Sequence, residues 1–162
     1  ASCLVGSEMC IRDSNMMNRR AQELMANGTH FMNPHGLHDD NHYTTAYDLY
    51  LIFNECIKHE DFVNIIQSEA YTAYYTDVDG NSQEALFTPT NLYAQGEVDV
   101  PENVTIVGGK TGTTDEAGYC LILMEKDSSD NPYISIVMGA SEKPVLYEDM
   151  TSLIEAIPSG QQ

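Results

Sequence analysis

The sequence predicts a mixed α/β fold of the α+β type, with an antiparallel sheet, a C-terminal helix packed on that sheet and a separate helical part. Apolar residues recur at helical spacing in the first half of the chain. The second half changes to β-branched and aromatic runs separated by polar turns, and the C-terminal segment returns to helical spacing. Because 162 residues can bury one substantial core, we expect a single domain.

The first helix is predicted to begin at Ser14, because residues 1–13 show no clear period. Its apolar positions recur at helical spacing: Met17, Ala21, Leu24 and Met25. Asn27-Gly28 then supplies a left-handed stop. We therefore divide the chain into a leader over residues 1–13, which is non-native or irregular, and a single domain over residues 14–162.

Two further helices are predicted after a loop over residues 29–43. Either Thr44 or Thr45 can cap the first of them. Its apolar side carries six residues: Ala46, Leu49, Tyr50, Phe53, Cys56 and Ile57. A shorter helix is expected over residues 61–67, where Phe62, Ile65 and Ile66 are apolar.

The second half of the chain predicts two groups of strands. Residues 71–76 and 85–88 flank an Asp79-Gly80 turn, which is typical of a hairpin or of paired extended segments. Three further segments, at residues 104–110, 118–124 and 133–140, predict an antiparallel meander. The polar residues 127–132 form the turn between the last two.

Pro144 can open a final helix, because proline is tolerated in the first helical turn. Glu148 and Asp149 lie near its start, where acidic groups complement the helix dipole. Its apolar residues are Val145, Leu146, Met150, Leu153, Ile154 and Ile157. We expect them to cover one face of the sheet.

The charge balance excludes several kinds of partner. Seven Lys and Arg residues against 25 Asp and Glu residues give a formal net charge of −18, which repels nucleic-acid phosphates and anionic lipids. No apolar run approaches the ~20 residues of a membrane helix. The amino terminus lacks the basic and then apolar layout of a signal peptide. We expect no nucleic-acid partner, and no membrane span or signal peptide within this chain.

Neither a metal nor another cofactor is predicted. The four cysteines form no Cys-x-x-Cys pair, and the apolar surroundings of Cys56 and Cys120 favour small buried thiols over a disulfide or a reactive group. The side chains of His35, His38, Asp39, Asp40 and His42 are interpreted as a solvated loop. Asp77-x-Asp79-Gly80-Asn81 is interpreted as a hairpin turn, because its glycine precedes the third ligand position of a calcium loop.

The candidate site is Lys110-Thr111-Gly112, at the end of a predicted strand. Lys110 can offer a charge to a substrate carboxylate, Thr111 a hydroxyl, and Gly112 lets a peptide lie close to the strand. The backbone N–H of Thr113 would be placed to donate into an oxyanion hole. Since three residues often match by chance, a glycine-rich strand end followed by a turn is the alternative.

Six sequence blocks around this motif occur in a fixed order. They are Met17-Asn18-x-x-Ala21, Thr29-x-Phe31-x-Asn33-Pro34-x-Gly36-Leu37, Thr44-Thr45-Ala46-x-Asp48, Thr90-Asn91-Leu92, Gly109-Lys110-Thr111-Gly112-x-Thr114 and Ala117-Gly118-x-Cys120-Leu121. In this order the blocks resemble the D-alanyl-D-alanine carboxypeptidase family of serine peptidases, the S11 type of penicillin-binding protein. The resemblance covers about residues 14–157.

The resemblance implies a penicillin-binding, transpeptidase-like domain related to β-lactamases, which trims the terminal D-Ala from stem peptides of the bacterial cell wall. It implies an extracytoplasmic location, in the periplasm or at the cell surface, and no cofactor. Lys110, Thr111 and Gly112 carry over as contacts of the substrate carboxylate or of a β-lactam, and Thr113 as the oxyanion donor. Lys110 and Thr113 are thus the catalytic candidates.

The sequence departs from the family pattern at the nucleophile. No Ser-x-x-Lys occurs in the 162 residues, whereas in the family this block and a Ser-x-Asn block precede the Met-Asn helix. Ser129-Asp130-Asn131 matches the second block in letters but follows the Lys-Thr-Gly motif, so we interpret it as a turn. We expect residues 14–162 to be an incomplete domain that lacks the nucleophile segment and the first strands.

Three functions remain open from the sequence. The leading one is a fragment of a serine-type D-Ala-D-Ala carboxypeptidase acting on peptidoglycan, inactive by itself. The second is a non-catalytic module that holds peptide termini or assembles with a partner, including a homo-oligomer formed through an open sheet edge. A class A β-lactamase fragment is less favoured, because it would explain Lys-Thr-Gly but not the Asn-Pro-x-Gly-Leu and Thr-Thr-Ala-x-Asp blocks.

Overall fold

The computed structural model describes residues 2–158, with side chains from Glu8 onward. Ten helices and strands follow one another within this range. They are α1 Ser2–Glu23, α2 Ala46–Cys56, α3 Glu60–Ile66, β1 Tyr71–Thr76, β2 Ser82–Phe87, α4 Leu92–Gln95, β3 Val104–Thr114, β4 Gly118–Asp127, β5 Pro132–Ala140 and α5 Lys143–Glu155. The mixed α/β class predicted from the sequence is confirmed.

The core lies between α5 and the antiparallel sheet β3-β4-β5, which is the predicted meander. Its buried residues are Tyr93, Val104, Leu121, Leu123, Ala140, Leu146, Tyr147, Met150, Ile154 and Ile157. The predicted helix face was wrong at Leu153, which is 45% exposed. Tyr147 is buried instead, because its ring meets that of Tyr93 edge to face at a centroid distance of 5.4 Å.

The first helix begins at Ser2, so the start predicted at Ser14 was wrong and residues 2–13 are helical. Ser14 lies within the helix, where its hydroxyl donates to the carbonyl oxygens of Cys10 at 2.9 Å and Ile11 at 3.2 Å. The stop also differs, because the left-handed residue is Met25, with φ of 63°, and not Gly28. That residues 1–13 are non-native stays a prediction.

The strands near the candidate site are longer than predicted. The register of β3 with β4 shifts between Ile106 and Gly108, and the pairing then continues from Gly108 to Thr114. The Lys-Thr-Gly residues therefore lie within a strand. β2 begins at Ser82 and not at residue 85. The short helix α4 was not predicted, because four residues show no period. It forms since the Asn91 side chain accepts the N–H of Tyr93 at 3.1 Å.

The loop between α1 and α2 is held at both ends by hydrogen bonds. The Asn18 side chain donates to the carbonyl oxygen of Phe31 at 2.8 Å and accepts the N–H of Phe31 at 2.7 Å. His30 and Tyr43 form an antiparallel bridge across the base of the loop. The loop is therefore anchored to the helical part, although it contains no regular element between these residues.

Asp48 connects the loop to the start of α2. The Thr29 hydroxyl donates to Oδ2 of Asp48 at 2.8 Å, and the N–H of Asp48 donates to the Thr45 hydroxyl at 3.1 Å. Of the two predicted caps, Thr45 is the N-cap. Gly28 lies beside this cluster, where a Cβ would come 3.0 Å from Thr45 Cγ2, so its role is close packing. Within residues 2–158 no helix is long and apolar enough to cross a membrane.

Glu125 is a buried carboxylic acid in the middle of the core sheet. It is 0% exposed on β4, between Ile106 of β3 and Tyr133 of β5. In the described part of the chain neither carboxylate oxygen has a hydrogen-bond partner, although Ser135 lies near enough to offset part of the burial cost. Burial raises the pKa of Glu125 to about 7. The fold therefore favours the protonated, neutral side chain.

We predict that the free energy of unfolding falls as the pH rises from about 4.5 to about 7. The pKa of Glu125 is about 7 in the folded chain and 4.5 in the unfolded chain, so the folded chain holds the proton more tightly. The stabilisation is therefore complete below pH 4.5 and is lost as the pH rises through about 7. The loss should be about 3 kcal/mol. Urea unfolding at several pH values measures it, and Glu125→Gln should remove this slope. An equal slope in both proteins would contradict the assignment.

Candidate functional site

The predicted site residues lie in the second half of β3, at the edge of the sheet. β3 pairs with β4 on one side, and within residues 2–158 no other strand pairs with it. Lys110 is opposite Ile122, and Gly112 is opposite Cys120. The strand thus offers an open edge beside Lys110 and Gly112 to an extended ligand.

The four site residues do not share one face of β3. Paired residues in an antiparallel ladder point the same way, and successive residues point to opposite faces. Thr111 is opposite the buried Leu121, so it faces the side covered by α5. Lys110 and Gly112 face the other side. The four residues therefore meet only along the backbone edge, which the sequence did not reveal.

Lys110 is an exposed cation without an ion-pair partner among the described residues. Its Nζ donates to the carbonyl oxygen of the adjacent Thr111. In a chain with a net charge of −18, a lysine is expected to find a carboxylate easily. Lys110 forms no such ion pair among the described residues, so its charge is available to an anionic ligand.

Thr111 is positioned by a residue that the sequence analysis assigned no role. Its hydroxyl lies 2.5 Å from the hydroxyl of Thr90, just before α4. The start of α4, which follows Thr90, is held to α5, because the N–H of Leu92 donates to the hydroxyl of Tyr147 at 3.0 Å. Thr90 belongs to the Thr-Asn-Leu block noted above, and that block was the signal that could have found it.

Three glycines of β3 have different functions. A Cβ on Gly108 would overlap the carbonyl of Ile66 at the end of α3, and one on Gly109 would overlap the carbonyl of Ile122 on β4. Gly108 and Gly109 are therefore needed for close packing. A Cβ on Gly112 would meet nothing within 4 Å. The absence of a side chain at Gly112 leaves space that the fold itself does not use.

The loop between α1 and α2 reaches the end of the site strand. Nδ1 of His38 lies 4.0 Å from a carboxylate oxygen of Glu116, in the turn between β3 and β4. Nε2 of the same ring lies 3.3 Å from Asp40. Among the described residues there is no group of three or more His, Cys, Asp or Glu that could hold a metal ion. The histidine cluster stays interpreted as a solvated loop.

The other two sequence patterns form turns, as predicted. Oδ1 of Asp127 accepts the N–H groups of Ser129 at 2.8 Å and Asn131 at 2.9 Å, at the opposite end of β4 from Thr113. Asp77 accepts the N–H groups of two residues of the β1–β2 turn in the same manner. The hydrogen bond from the Gln83 side chain, together with these backbone bonds, lowers the pKa of Asp77.

The cysteines differ from the prediction in their burial. Cys56 and Cys120 are half-buried free thiols and not fully buried ones, and Cys10 is similar. Cys56 lies at the end of α2, where partial burial raises the pKa of its thiol. Cys120 is on the sheet face that α5 does not cover. Cys120 is opposite Gly112 on that face, whereas Cys56 lies on a different element.

Replacing two of these glycines by alanine should separate packing from ligand access. Gly108→Ala should destabilise the fold by at least about 2 kcal/mol, because the backbone of α3 must move away. Gly112→Ala should change the free energy of unfolding by less than about 0.5 kcal/mol, because its Cβ meets nothing. Urea denaturation of both variants tests this prediction. Equal losses in the free energy of unfolding for the two variants would contradict the packing described for Gly108 and Gly112.

Comparison with known proteins gives the family. The model of the D-alanyl-D-alanine carboxypeptidase family, Peptidase S11, matches residues 11–142. The D-alanyl-D-alanine carboxypeptidase DacF of Bacillus subtilis is 30% identical over 139 residues, which are 86% of this chain and 33% of that protein. DacA of Haemophilus influenzae is 30% identical over 123 residues, or 76% of this chain and 28% of that one.

Solved structures agree with this fold. A variant of the Streptomyces K15 DD-transpeptidase has a TM-score of 0.77 at 25% identity, covering 88% of this chain and 52% of that chain. The carboxypeptidase DacD of Francisella tularensis has a TM-score of 0.72 at 20% identity, over 88% and 43% of the two chains. The chain spans about half the length of the solved relatives and about a third of the curated ones. It belongs to the D-alanyl-D-alanine carboxypeptidase family of serine peptidases.

Proposed function

We propose that this chain carries the substrate-binding strand of a serine-type D-Ala-D-Ala carboxypeptidase that acts on peptidoglycan stem peptides outside the cytoplasm. The observation that supports it is the open edge of β3, where Lys110 has no carboxylate partner among the described residues and Gly112 leaves free space. An extended peptide could lie along this edge. The resemblance to penicillin-binding proteins implies that β-lactams would occupy the same place.

In this proposal each site residue has a defined role. Nζ of Lys110 leaves the carbonyl of Thr111 and binds the terminal carboxylate of the peptide, a charge-assisted contact. The hydroxyl of Thr111, oriented by Thr90, donates to the same carboxylate. Gly112 lets the two backbones approach, and the N–H of Thr113 donates to the oxyanion that develops on the scissile carbonyl.

The nucleophile of the reaction comes from residues outside these 162, since no Ser-x-x-Lys is among them. The serine oxygen would bond to the D-Ala-D-Ala carbonyl carbon while the neighbouring lysine accepts its proton. The C–N bond then breaks, and the departing D-Ala amine takes up that proton. Water hydrolyses the acyl-enzyme to regenerate the serine. This chain would supply carboxylate recognition and oxyanion stabilisation to both steps.

Binding of a peptide that ends in D-Ala-D-Ala should depend on Lys110. Chemical shifts of backbone amides should move on β3 during an NMR titration, and Lys110→Ala should weaken binding at least about tenfold, because a charge-assisted contact is lost. Gly112→Ala should also weaken binding while the protein stays folded. Lys143→Ala is the matched control, since Lys143 is also exposed and unpaired in the described part of the chain. Equal weakening by both lysine variants would contradict the proposal.

A fluorescent penicillin should not label the chain covalently. Without the nucleophilic serine no acyl-enzyme can form, so denaturing electrophoresis should show no fluorescent band after incubation. A full-length serine carboxypeptidase of the family serves as the positive control. A covalent adduct on this chain would show that a residue within it acts as the nucleophile, and it would overturn the assignment of roles.

One observation also favours the second function, a non-catalytic assembly module. The outer strands β3 and β5 are each paired on one side only within residues 2–158. A strand from a second copy could pair with either edge. Sedimentation at several concentrations decides between the two: a dimer that dissociates on dilution supports assembly, and a monomer that binds D-Ala-D-Ala peptides supports the leading proposal.

A further inference from the structure

The β1–β2 hairpin exposes an unusual amount of aromatic surface. Its two strands pair with each other, and no other described helix or strand packs broadly against them. Its large exposed apolar residues are Tyr71, Tyr74, Tyr75, Val78, Leu86 and Phe87. A hairpin with so little support is marginally stable in water, and large exposed apolar patches mark interaction surfaces. The hairpin therefore has the character of a binding element.

One face of the hairpin combines aromatic rings with small residues. None of its six paired residues is charged, and the carboxylate of Asp77 accepts a hydrogen bond from Gln83 at one end. Its members are the cross-strand pairs Tyr71 with Phe87, Ala73 with Ala85 and Tyr75 with Gln83, which we call the tyrosine face. Tyr71 and Phe87 are 67% and 59% exposed at one end, and Tyr75 is 54% exposed near the other. The two ends are about 13 Å apart, with the two alanines as a shallow floor between them.

The opposite face of the same hairpin differs in its chemistry. It carries Tyr74, which is 77% exposed, directly opposite the carboxylate of Glu84. The cross-strand partner of Tyr74 is therefore charged, whereas the partners of Tyr71 and Tyr75 are the neutral Phe87 and Gln83. This difference supplies an internal control, since both faces belong to one element and expose tyrosines to a similar extent.

The composition of the tyrosine face selects a neutral, hydroxyl-rich ligand. Tyrosine offers an apolar ring and a polar hydroxyl, which suits a ligand that stays partly wet. The face has no cation, and the net charge of −18 repels anionic partners. The Gln83 amide, held by Asp77 at 2.9 Å, can hydrogen-bond to hydroxyl or acetamido groups. Pyranose rings match this pattern, because their C–H faces stack on aromatic rings while their edges carry such groups.

The tyrosine face is continuous along the chain with the substrate-binding strand. β2 ends at Phe87, and three residues later Thr90 places its hydroxyl 2.5 Å from that of Thr111. A polymer bound along the hairpin would thus be tethered close to the Lys110 edge. This proposal builds on the proposed function, whose substrate, peptidoglycan, consists of stem peptides attached to a sugar chain. We propose that the tyrosine face binds the neutral N-acetylhexosamine chain of peptidoglycan.

The test is an NMR titration of the full chain with the hexamer of β-1,4-linked N-acetylglucosamine, which carries no stem peptide. Saturable shifts are expected at the amides of the tyrosine face. Tyr71→Ala and Tyr75→Ala should each raise the dissociation constant at least about fivefold, which corresponds to ~1 kcal/mol. Tyr71→Phe should retain most of the binding because the ring remains. Tyr74→Ala should leave the dissociation constant within about twofold of the original.

Three outcomes would overturn the proposal. They are the absence of saturable shifts, equal weakening by Tyr74→Ala, and shifts on dilution without sugar that show a second copy on this face. The dispersed spectrum of each variant verifies that it is folded. Titration with the D-Ala-D-Ala peptide keeps the two proposals separate: sugar binding without peptide binding would refute the proposed function alone, and peptide binding without sugar binding would refute only the tyrosine face.

Discussion

The packing of α5 on the sheet is the contact on which the rest of the structure depends. Tyr147 is the central residue, because its ring packs against Tyr93 while its hydroxyl accepts the N–H of Leu92. One side chain thereby contributes to the core and fixes the segment before β3. Since Thr90 directly precedes this segment and contacts Thr111, the position of the site threonine follows from the packing of a helix that never reaches the site.

Glycine placement then decides which parts of β3 are closed and which are open. At Gly108 the end of α3 approaches so closely that no side chain fits, whereas at Gly112 nothing lies near. The strand thus changes within four residues from a packed element to a free edge. A binding strand needs both properties, because the packed part holds the free part rigid and lowers the entropy lost when a ligand is ordered on it.

Sequence reasoning predicted what depends on periodicity and local chemistry. The meander, the hairpin and the Thr45 cap follow from alternating strands and short polar side chains, and all three are present. Features that depend on distant contacts were not predictable. The face of the sheet on which Thr111 lies depends on the register between β3 and β4. The burial of Glu125 depends on the strands that pair with β4 on both sides. Thr90 had a sequence signal but no role until its contact was visible.

An open edge strand carries a risk of pairing with another copy, and the charges of this chain work against that pairing. Lys110 points from the edge strand and has no carboxylate partner among the described residues, so a second copy of the strand would bring two such lysines together. The net charge of −18 adds general repulsion between copies. A small peptide with a terminal carboxylate meets the opposite situation, because Lys110 attracts it. The same lysine therefore disfavours self-association and favours a ligand, which makes the open edge compatible with a binding function.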